Sequence, residues 1–394
     1  MQNKKVIVAI GSGPASVMAL SVLNDEYEVF LIEKPAKNFI LGKRILVSGN
    51  GRANFFNEDL MSWKYASDAF KYLTTKLQLA FTKDGKLYYP YFNRSECLHS
   101  IFDNKIRNNK SIHIVMGEAL KVNPLNNNVV VLENGKEKIL NYDYLIFAPG
   151  GRSYDRKDFN YNLLNSLKVK YRPFESCLCP IRTVEKIPSY LNKNRLHCTV
   201  SLYGDNNLVY KEEGEVLFKE DGLSGICIFN STVKIRETEN KYKNYYYKLD
   251  YSMNNGIQLK TNTLASAPSF LKQYLKEKKI KYLDPLIFNF KECYSFEDSQ
   301  ISFGGILQNE RDDETFVLKK FNNIYALGET IDHNFFCGGY NIGVALTEGY
   351  ICGKDLLKKY EEKWFKYRWK FSYFFSFWRL FSTKISKRRT WRLK

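Results

Sequence analysis

Hydrophobic residues fall into short runs along the chain, and glycine-rich turns end several of them. The first run covers residues 6–10 and is rich in β-branched side chains, which is typical of a buried parallel strand. The turn Gly11-Ser12-Gly13 follows, then an apolar stretch over 14–20 with the pattern of a helix. A second apolar run covers 28–32. The amino terminus is therefore predicted to form a strand, helix, strand unit.

Further elements follow from the same patterns. Helices are predicted over 66–80, 95–108, 268–278 and 341–360, and strands over 112–116, 128–132, 144–147, 196–202, 215–218 and 324–327. Between 168 and 297 the strands are short and alternating, which indicates a β-rich insert. We therefore predict an α/β fold with a discontinuous Rossmann-like nucleotide-binding domain, an inserted β-rich and helical substrate domain, and a tail. The nucleotide-binding domain covers 1–167 and 298–360, the inserted domain covers 168–297, and the tail covers 361–394.

Composition and charge place the chain among soluble globular proteins, with 44% hydrophobic and 26% charged residues. Of the net charge of +18, residues 358–394 carry +11, which leaves +7 for the preceding residues. The eight cysteines show no metal-ligand spacing and no Cys-x-x-Cys pair, so neither a metal site nor a dithiol centre is predicted. Without a signal peptide before residue 6, we expect a cytoplasmic protein with reduced thiols.

The first glycine turn has the chemistry of a dinucleotide site. Gly11 permits a tight turn, Gly13 lets backbone amides approach a pyrophosphate, and a helix beginning at Pro14-Ala15 points its positive end at that phosphate. Glu33, with Lys34 beside it, ends the next strand, where a carboxylate accepts hydrogen bonds from ribose hydroxyls. Ser16 stands where the last glycine of the motif is usual. The alternative is an ordinary strand-to-helix turn.

Several ordered blocks between residues 4 and 357 resemble one family. The blocks are the turn at 11–16, the loop 42–54 (GKRILVSGNGRAN), 214–218 with 222–225, 301–306, 328–332 (GETID) and 338–341 (GGYN). Together they resemble the aminoacetone-oxidase-like, or BaiN-like, NAD(P)/FAD-dependent oxidoreductases. The resemblance implies a two-domain flavoprotein that binds FAD.

The resemblance also implies where FAD would lie. Its pyrophosphate would cover residues 11–15, and its ring would lie near 43–54 and 338–342. The remaining residues assigned to the cofactor are Lys43, Arg44, Ser48, Gly49, Arg52, Asn54, Val122, Gly150, Gly328, Glu329, Asp332, Gly338, Gly339, Tyr340, Asn341 and Ile342. Val122 marks a backbone position beside adenine, with a plain core valine as the alternative. Glu329 and Asp332 compete to accept hydrogen bonds from the ribityl chain or a phosphate-bound water.

Proton donors are less clearly marked. His333 is expected to titrate near neutrality, and Tyr340 and Cys337 lie nearby in sequence, so each is a candidate, although a hydrogen-bonded loop residue is the alternative for His333. Ala53 replaces the cysteine of the family loop, which excludes a catalytic thiol there. No catalytic residue is assigned beyond these candidates.

The predicted function is an FAD-dependent oxidoreductase that passes a hydride through flavin N5 to or from a small-molecule substrate. Transient reduction by NADH or NADPH is compatible with this function, and the family resemblance leaves two types open: an amine oxidase that returns electrons to oxygen and a reductase of activated double bonds. The alternatives are a flavin-dependent RNA-modifying enzyme and a non-catalytic, membrane-tethered flavin-binding protein.

The tail has a composition of its own. Eleven of the eighteen residues 364–381 are aromatic, with basic residues between them, which predicts association with an anionic membrane surface at the cytoplasmic face. Packing on the enzyme or on a dimer mate is the alternative for this segment, and nucleic acid is disfavoured because the rest of the chain carries little excess charge. No pattern fixes the oligomeric state.

Overall fold

A computed structural model describes residues 4–35, 40–153, 159, 161–254, 257–258, 267–281 and 283–362. The strands of these residues are β1 Lys5–Ile10, β2 Tyr27–Glu33, β3 Phe56–Asn57, β4 Phe81–Asp84, β5 Leu87–Pro90, β6 Ile112–Met116, β7 Glu118–Asn123, β8 Asn128–Glu133, β9 Lys136–Asn141, β10 Tyr144–Phe147, β11 Tyr171–Cys177, β12 Ile181–Thr183, β13 Arg195–Gly204, β14 Asn207–Lys219, β15 Gly222–Ser224, β16 Tyr245–Asp250, β17 Met253–Asn254, β18 Ile257–Gln258, β19 Leu286–Cys293, β20 Ile301–Ile306 and β21 Ile324–Ala326. The helices are α1 Pro14–Val22, α2 Lys43–Leu46, α3 Lys64–Lys71, α4 Ser95–Arg107, α5 Tyr161–Leu167, α6 Ile226–Thr238, α7 Ser269–Lys278 and α8 over 340–362.

Five parallel strands form the central sheet in the order β21-β10-β1-β2-β6. Neighbouring side chains of β1 point to opposite faces of the sheet, and each face is covered by its own core. Ile7 and Ala9 join the core that α1 and α8 complete, whereas Val8 and Ile10 join the core beneath α5 and the β7-β8-β9 sheet. The run of apolar residues that predicted a buried strand therefore fills two separate cores.

Helices α1 and α8 cross at close range. A Cβ atom on Gly349 would collide with the backbone oxygen of Ala15, and one on Gly353 would lie 2.7 Å from the oxygen of Ala19. Both pairs are spaced four residues apart, so small residues line one stripe on each helix. This contact brings the start of α1 close to the carboxyl-terminal part of the chain.

The second region is a closed six-stranded antiparallel barrel, β12-β15-β14-β13-β16-β19. Its core is apolar, and α6 and α7 contribute side chains such as Ile228, Ile235, Leu271 and Leu275. A two-stranded ribbon, β11 with β20, connects it to the central sheet. The predicted domain limits at 168 and 297 fall on the sheet side of β11 and between β19 and β20.

The predicted fold class, a parallel α/β sheet with a second β-rich region, is confirmed. Strand β21 follows the barrel in sequence and pairs with β10, so the sheet is built from both ends of the chain. The helix predicted over 66–80 is shorter: α3 ends at Lys71, a π-helical turn follows over Tyr72–Lys76, and the hairpin β4-β5 begins at Phe81. The ring of Phe70 holds this hairpin, with centroids 5.1 Å from Phe81 and 4.9 Å from Tyr88.

Candidate functional site

The carboxyl edge of the central sheet carries the turns that follow β1 and β10. From β1 the chain first builds β2 and β6 on one side, then returns to place β10 and β21 on the other. In parallel α/β sheets, ligands bind outside the carboxyl ends of the strands where the order reverses, here between β1 and β10. The turns after these two strands are therefore the centre of the candidate site.

The turn after β1 requires glycine at its first position. Gly11 has φ +87°, and a Cβ atom there would overlap the carbonyl oxygen of Ala148, which follows β10. The Gly11 N–H donates to the oxygen of Ile32 at 2.9 Å, which ties the turn to the end of β2. Left-handed φ and close backbone contact together explain why only glycine fits.

The second glycine of this turn has a different environment. A Cβ atom on Gly13 would have no atom of the described residues within 4 Å, and Gly13 has φ −67°. Gly13 precedes Pro14, the first residue of α1, and none of the described side chains caps that helix. The start of α1 therefore presents amide donors beside open space, which is the arrangement that binds a phosphate.

Glu33 closes this turn from the end of β2. Its Oε2 accepts a hydrogen bond from the Ser12 N–H at 2.6 Å, and the Ser12 hydroxyl accepts from the Gly42 N–H at 3.1 Å. The neighbouring Lys34 forms an exposed ion pair with Glu118, 3.5 Å from Nζ to Oε1. The predicted proximity of Glu33 to the glycine turn is thus present in the structure.

Val122 lies elsewhere. It is a buried core residue of β7, and its N–H donates to the Ser166 hydroxyl at 3.0 Å. The backbone that lies beside Glu33 is instead Gly117, whose N–H donates to the Glu33 carbonyl at 3.0 Å. Because the Val122 donor is already bonded within the core, we drop Val122 from the site, and the alternative of a plain core valine describes it better.

The polar loop after β2 lies against the turn after β10. Arg44 donates from Nη2 to the Ser153 carbonyl at 2.7 Å, whereas Lys43 is exposed.

The other polar residues of this loop contact its own surroundings. The Arg52 guanidinium stacks 4.5 Å over the Tyr89 ring. Ser48 bonds back to the Ile45 carbonyl at 2.6 Å, and Gly49 has φ +54° against the Asn54 backbone. Of the predicted cations, Arg44 is the one that the structure ties to the β10 turn.

The structure distinguishes the two competing carboxylates. Glu329 accepts from the Ser302 N–H at 2.8 Å and from the Ser153 hydroxyl at 3.2 Å, and a Cβ atom on Gly151 would lie 2.6 Å from its Oε1. It therefore lies at the β10 turn, where Gly150, with φ +76°, accepts from the Thr330 hydroxyl at 3.2 Å. Neither Ser153 nor Ser302 was predicted as a site residue, although Ser302 belongs to the block 301–306 that carries the resemblance.

Asp332 has its described side-chain partners on the ribbon and in its own loop. Its carboxylate lies 3.6 Å from Arg172 Nε on the ribbon, and its own N–H donates to the Ile306 carbonyl at 2.8 Å. Burial raises the pKa of Asp332, and the Arg172 charge opposes that rise. Asp332 thus fastens the ribbon, and Glu329 is the carboxylate left for the candidate site.

The start of α8 packs on the segment that follows the polar loop. The Gly338 carbonyl accepts from Asn57 Nδ2 at 2.8 Å, and a Cβ atom on Gly339 would lie 2.5 Å from the side-chain amide of Asn54. The Asn341 amide closes its own loop through the N–H and carbonyl of Phe335. Ile342 packs against the sheet core. Glycine is needed here for close packing as well as for a turn.

Tyr340 is held by a partner. Its hydroxyl donates to Asp59 Oδ2 at 2.7 Å, and burial together with this carboxylate raises the pKa of Tyr340 to about 12. Burial also raises the pKa of Cys337 to about 12, while the Cys337 N–H donates to Asn230 Oδ1 of the barrel at 2.8 Å. Both groups are therefore protonated at neutral pH.

The expectation that His333 titrates near neutrality is wrong. Burial lowers the pKa of His333 to about 4, and the positive charge of Arg311 lowers it further against the opposing effect of Glu348. Its Nδ1 lies 3.3 Å from Arg311 Nη2 and 3.5 Å from Glu348 Oε1. At neutral pH His333 is a neutral imidazole, so it does not supply a proton as an imidazolium. Arg311 and Glu348 were not predicted from the sequence.

Two further observations concern the described residues as a set. No helix within the described ranges is both long and apolar enough to cross a membrane. In the same ranges, no group of three or more His, Cys, Asp or Glu side chains is arranged to hold a metal ion. The tail from 363 onward, to which the membrane prediction belongs, lies outside the described residues.

Comparisons with known proteins bear on the whole chain. No family model matches it, so the family named above stays a prediction. The chain is 22% identical, over an alignment of 425 residues, to 3-dehydro-bile acid delta(4,6)-reductase of Clostridium scindens, covering 90% of this chain and 98% of the relative.

Two solved structures overlap with most of the chain at low similarity. CabE, an aromatic hydroxylase from angucycline biosynthesis, has a TM-score of 0.41 and 11% identity, and covers 91% of this chain. The match spans 63% of CabE, which is less than two thirds of its length. The p-nitrophenol 4-monooxygenase PnpA of Pseudomonas putida DLL-E4 has a TM-score of 0.42 and 9% identity, with 92% of this chain and 82% of PnpA covered.

Proposed function

We propose that this protein is an FAD-dependent oxidoreductase that acts on a small-molecule substrate. The observation that carries the proposal is the turn Gly11–Gly13 at the strand-order switch. It joins an uncapped helix start, open space at Gly13 and the Glu33 carboxylate at one edge of the sheet. This combination suits a dinucleotide, whose pyrophosphate needs backbone donors and whose ribose needs an acceptor.

The residues of the site fit each part of FAD: the pyrophosphate, the adenosine ribose, the ribityl chain and the flavin ring. The first amides of α1 would hold the pyrophosphate, and Glu33 would hold the adenosine ribose. Glu329, at the β10 turn with Arg44 nearby, would accept hydrogen bonds from the ribityl hydroxyls or a phosphate-bound water. The loop 43–54 and the start of α8 over 338–342 would surround the flavin. When bound, FAD supplies two-electron transfer by hydride through its N5 position.

The chain's own groups have defined tasks in this proposal. The first amides of α8 have no partner within the helix, so they stabilise negative charge placed at its start. Of the three candidates, Tyr340 and Cys337 are protonated at pH 7 and His333 is not. We therefore propose that a proton supplied by one of these candidates at neutral pH comes from Tyr340 or Cys337 and not from His333.

The reductase type is favoured over the oxidase type. The relative that aligns along 98% of its own length is named a reductase. No second Gly-x-Gly-x-x-Gly segment occurs in the sequence, so we propose that NADH or NADPH donates electrons transiently and is not tightly bound. An oxidase that returns electrons to oxygen is the other outcome of the test below.

The test is the visible absorbance spectrum of the purified protein, before and after FAD is added, followed anaerobically during addition of NADH or NADPH. Rapid bleaching of a bound flavin supports the reductase. Bound flavin that ignores both nicotinamides supports an oxidase reduced by its own substrate. A protein that binds no FAD at all overturns the proposal.

We further propose an anionic membrane surface as the partner of the tail 361–394, and a cytoplasmic location for the whole protein. The support is compositional: the aromatic and basic residues alternate there. Co-sedimentation with phosphatidylglycerol vesicles tests it, comparing the full chain with a variant that ends at residue 360. Equal sedimentation of both would contradict the proposal, whereas lost sedimentation with retained turnover supports an anchor.

A further inference from the structure

A buried charged network lies directly behind the second glycine turn. Arg311, Glu348 and His333 have side chains 6%, 1% and 11% exposed. They come from three separate places: the loop after β20, the middle of α8, and the loop between β21 and α8. Charged side chains are rarely this buried unless each is paired, because removal from water is costly.

The contacts of this network converge on a short piece of backbone. Glu348 Oε1 accepts from Arg311 Nη2 at 2.5 Å, and Glu348 Oε2 accepts from the Gly328 N–H at 2.7 Å. Arg311 also donates from Nη1 to the Ala326 carbonyl at 2.9 Å. The ion pair therefore forms hydrogen bonds to the backbone on both sides of Leu327, where β21 ends and the turn begins.

The turn over 326–328 contacts the candidate site at two places, the start of α1 and the β10 turn. Gly328 has φ +70°, and a Cβ atom there would lie 3.3 Å from Ala15 Cβ in the first turn of α1. The next residue is Glu329, which is bonded to Ser302 and Ser153 at the β10 turn. A small shift of Gly328 would move the Glu329 carboxylate and change the packing against the start of α1.

We propose that Arg311 and Glu348 are positioning residues that fix the turn Ala326–Gly328, and through it Glu329, for the cofactor. This inference rests on the proposed function, because it assigns the turn to FAD. A structural support alone would not require charge, since apolar residues pack buried space at lower cost. A carboxylate suits this position because it has two acceptor oxygens, one for the arginine and one for the Gly328 N–H.

The two acceptor oxygens of Glu348 can be tested by a substitution that removes one of them and keeps the size of the side chain. In Glu348→Gln, one amide oxygen remains and the other position becomes a donor. Whichever way the amide turns, it satisfies either Arg311 or Gly328 and faces the other donor with its own N–H. Glu348→Asp keeps both oxygens on a shorter side chain, so it is the variant expected to restore part of the effect.

A matched control lies on the same helix. Asp355 accepts from the Tyr325 hydroxyl of β21 at 2.6 Å and pairs with Lys359 at 2.8 Å. It therefore links α8 to the same strand but does not contact the Gly328 turn. Asp355→Asn perturbs the helix and strand contact without touching the proposed clamp.

The experiment has two readouts on the purified full chain. Hydrogen exchange of the Gly328 amide, measured without cofactor, reports on the clamp itself, and FAD affinity from flavin fluorescence reports on its purpose. We expect Glu348→Gln to speed Gly328 exchange and to raise the Kd for FAD, each by about tenfold, as the loss of a hydrogen bond to a charged group predicts. Aspartate should recover part of both, and Asp355→Asn should change neither.

The outcomes separate the two proposals. If the wild-type protein binds no FAD, the proposed function fails, and the exchange data still show whether the clamp exists. If it binds FAD and Glu348→Gln matches it in exchange and in Kd, the inference is overturned. Should Glu348→Gln not fold, Arg311→Lys takes its place, since one ammonium does not reproduce the two-nitrogen grip on Glu348 and Ala326. Unchanged FAD affinity in a folded Arg311→Lys protein would likewise overturn the inference.

Discussion

The two glycine turns that meet at the start of α1 are held in place by different means. The turn at Gly11 is fixed by nearby, largely uncharged contacts: its N–H bonds to Ile32, its Cα lies against Ala148, and the Ser12 N–H donates to Glu33 of the next strand. The turn at Gly328 has the same left-handed φ, but a buried ion pair assembled from distant parts of the chain holds it. A turn of this geometry thus depends either on its own residue types or on tertiary partners.

Removing one charge from the second turn should have the largest effect. Arg311→Met leaves Glu348 buried without its cation, and such a change costs about 3–5 kcal/mol of folding free energy. Chemical denaturation measures it. The double variant with Glu348→Gln should be more stable than Arg311→Met alone, because the orphaned charge is gone. Equal stability of the wild type and Arg311→Met would show that the ion pair contributes nothing.

The first turn should break at one glycine and not at the other. Gly11→Ala forces a left-handed φ and a collision with Ala148, so we expect a loss of about 3 kcal/mol. Gly13→Ala adds a methyl group to open space at an ordinary φ, so its stability should change by less than about 1 kcal/mol.

FAD binding should separate this pair of variants further. The added methyl of Gly13→Ala lies where the pyrophosphate is proposed, so the folded variant should bind FAD more weakly than the wild type. Thermal melts and FAD titrations of the two variants provide the comparison. A Gly13→Ala protein with unchanged FAD affinity would place the pyrophosphate elsewhere.

The second turn should also respond to pH, because His333 lies against Arg311 and Glu348. The ordinary pKa of histidine is about 6.5, and burial lowers that of His333 to about 4. Between these values the unfolded chain binds a proton that the folded chain refuses. Stability is therefore lost as pH falls from 6.5 towards 4, by about 2–3 kcal/mol at pH 4.5.

The check is urea denaturation at pH 7 and pH 4.5 for the wild type and His333→Asn. Other titrating groups contribute to both proteins, so the difference between them isolates the histidine. We expect a shallower pH dependence in His333→Asn. Parallel pH profiles would mean that His333 is protonated as easily in the folded protein as in the unfolded chain.

The smallest effect is expected in the first turn of α1. Within the described part of the chain the buried Ser16 hydroxyl has no hydrogen-bond partner, whereas Ser21 on the same helix donates to the Met18 carbonyl at 2.8 Å. Ser16→Ala should stabilise the protein by about 1 kcal/mol, because an unsatisfied polar group is removed. Ser21→Ala is the matched control and should not stabilise. A destabilised Ser16→Ala protein would reveal a partner for that hydroxyl.

The sequence predicted those parts of the site that local residue types specify. Gly11 and Glu33 were found from the strand, turn and spacing, and the structure joins them through Ser12. For Val122 the structure favours the plain core valine that was the alternative, because a pattern of apolar residues does not show which backbone donors are already bonded. Ser153, Ser302, Arg311 and Glu348 were missed because single polar residues carry no signal until the fold brings them together.

By itself, the sequence determined the parallel sheet, the barrel region's β-rich character and the position of the first glycine turn. These depend on side-chain periodicity and on the φ that glycine permits, both of which are properties of neighbouring residues. Only the tertiary structure gave Glu329 and Asp332 their different partners, and only it made His333 neutral. Those outcomes depend on burial and on charges from distant parts of the chain, because a pKa and a hydrogen-bond partner are set by what surrounds a group in space.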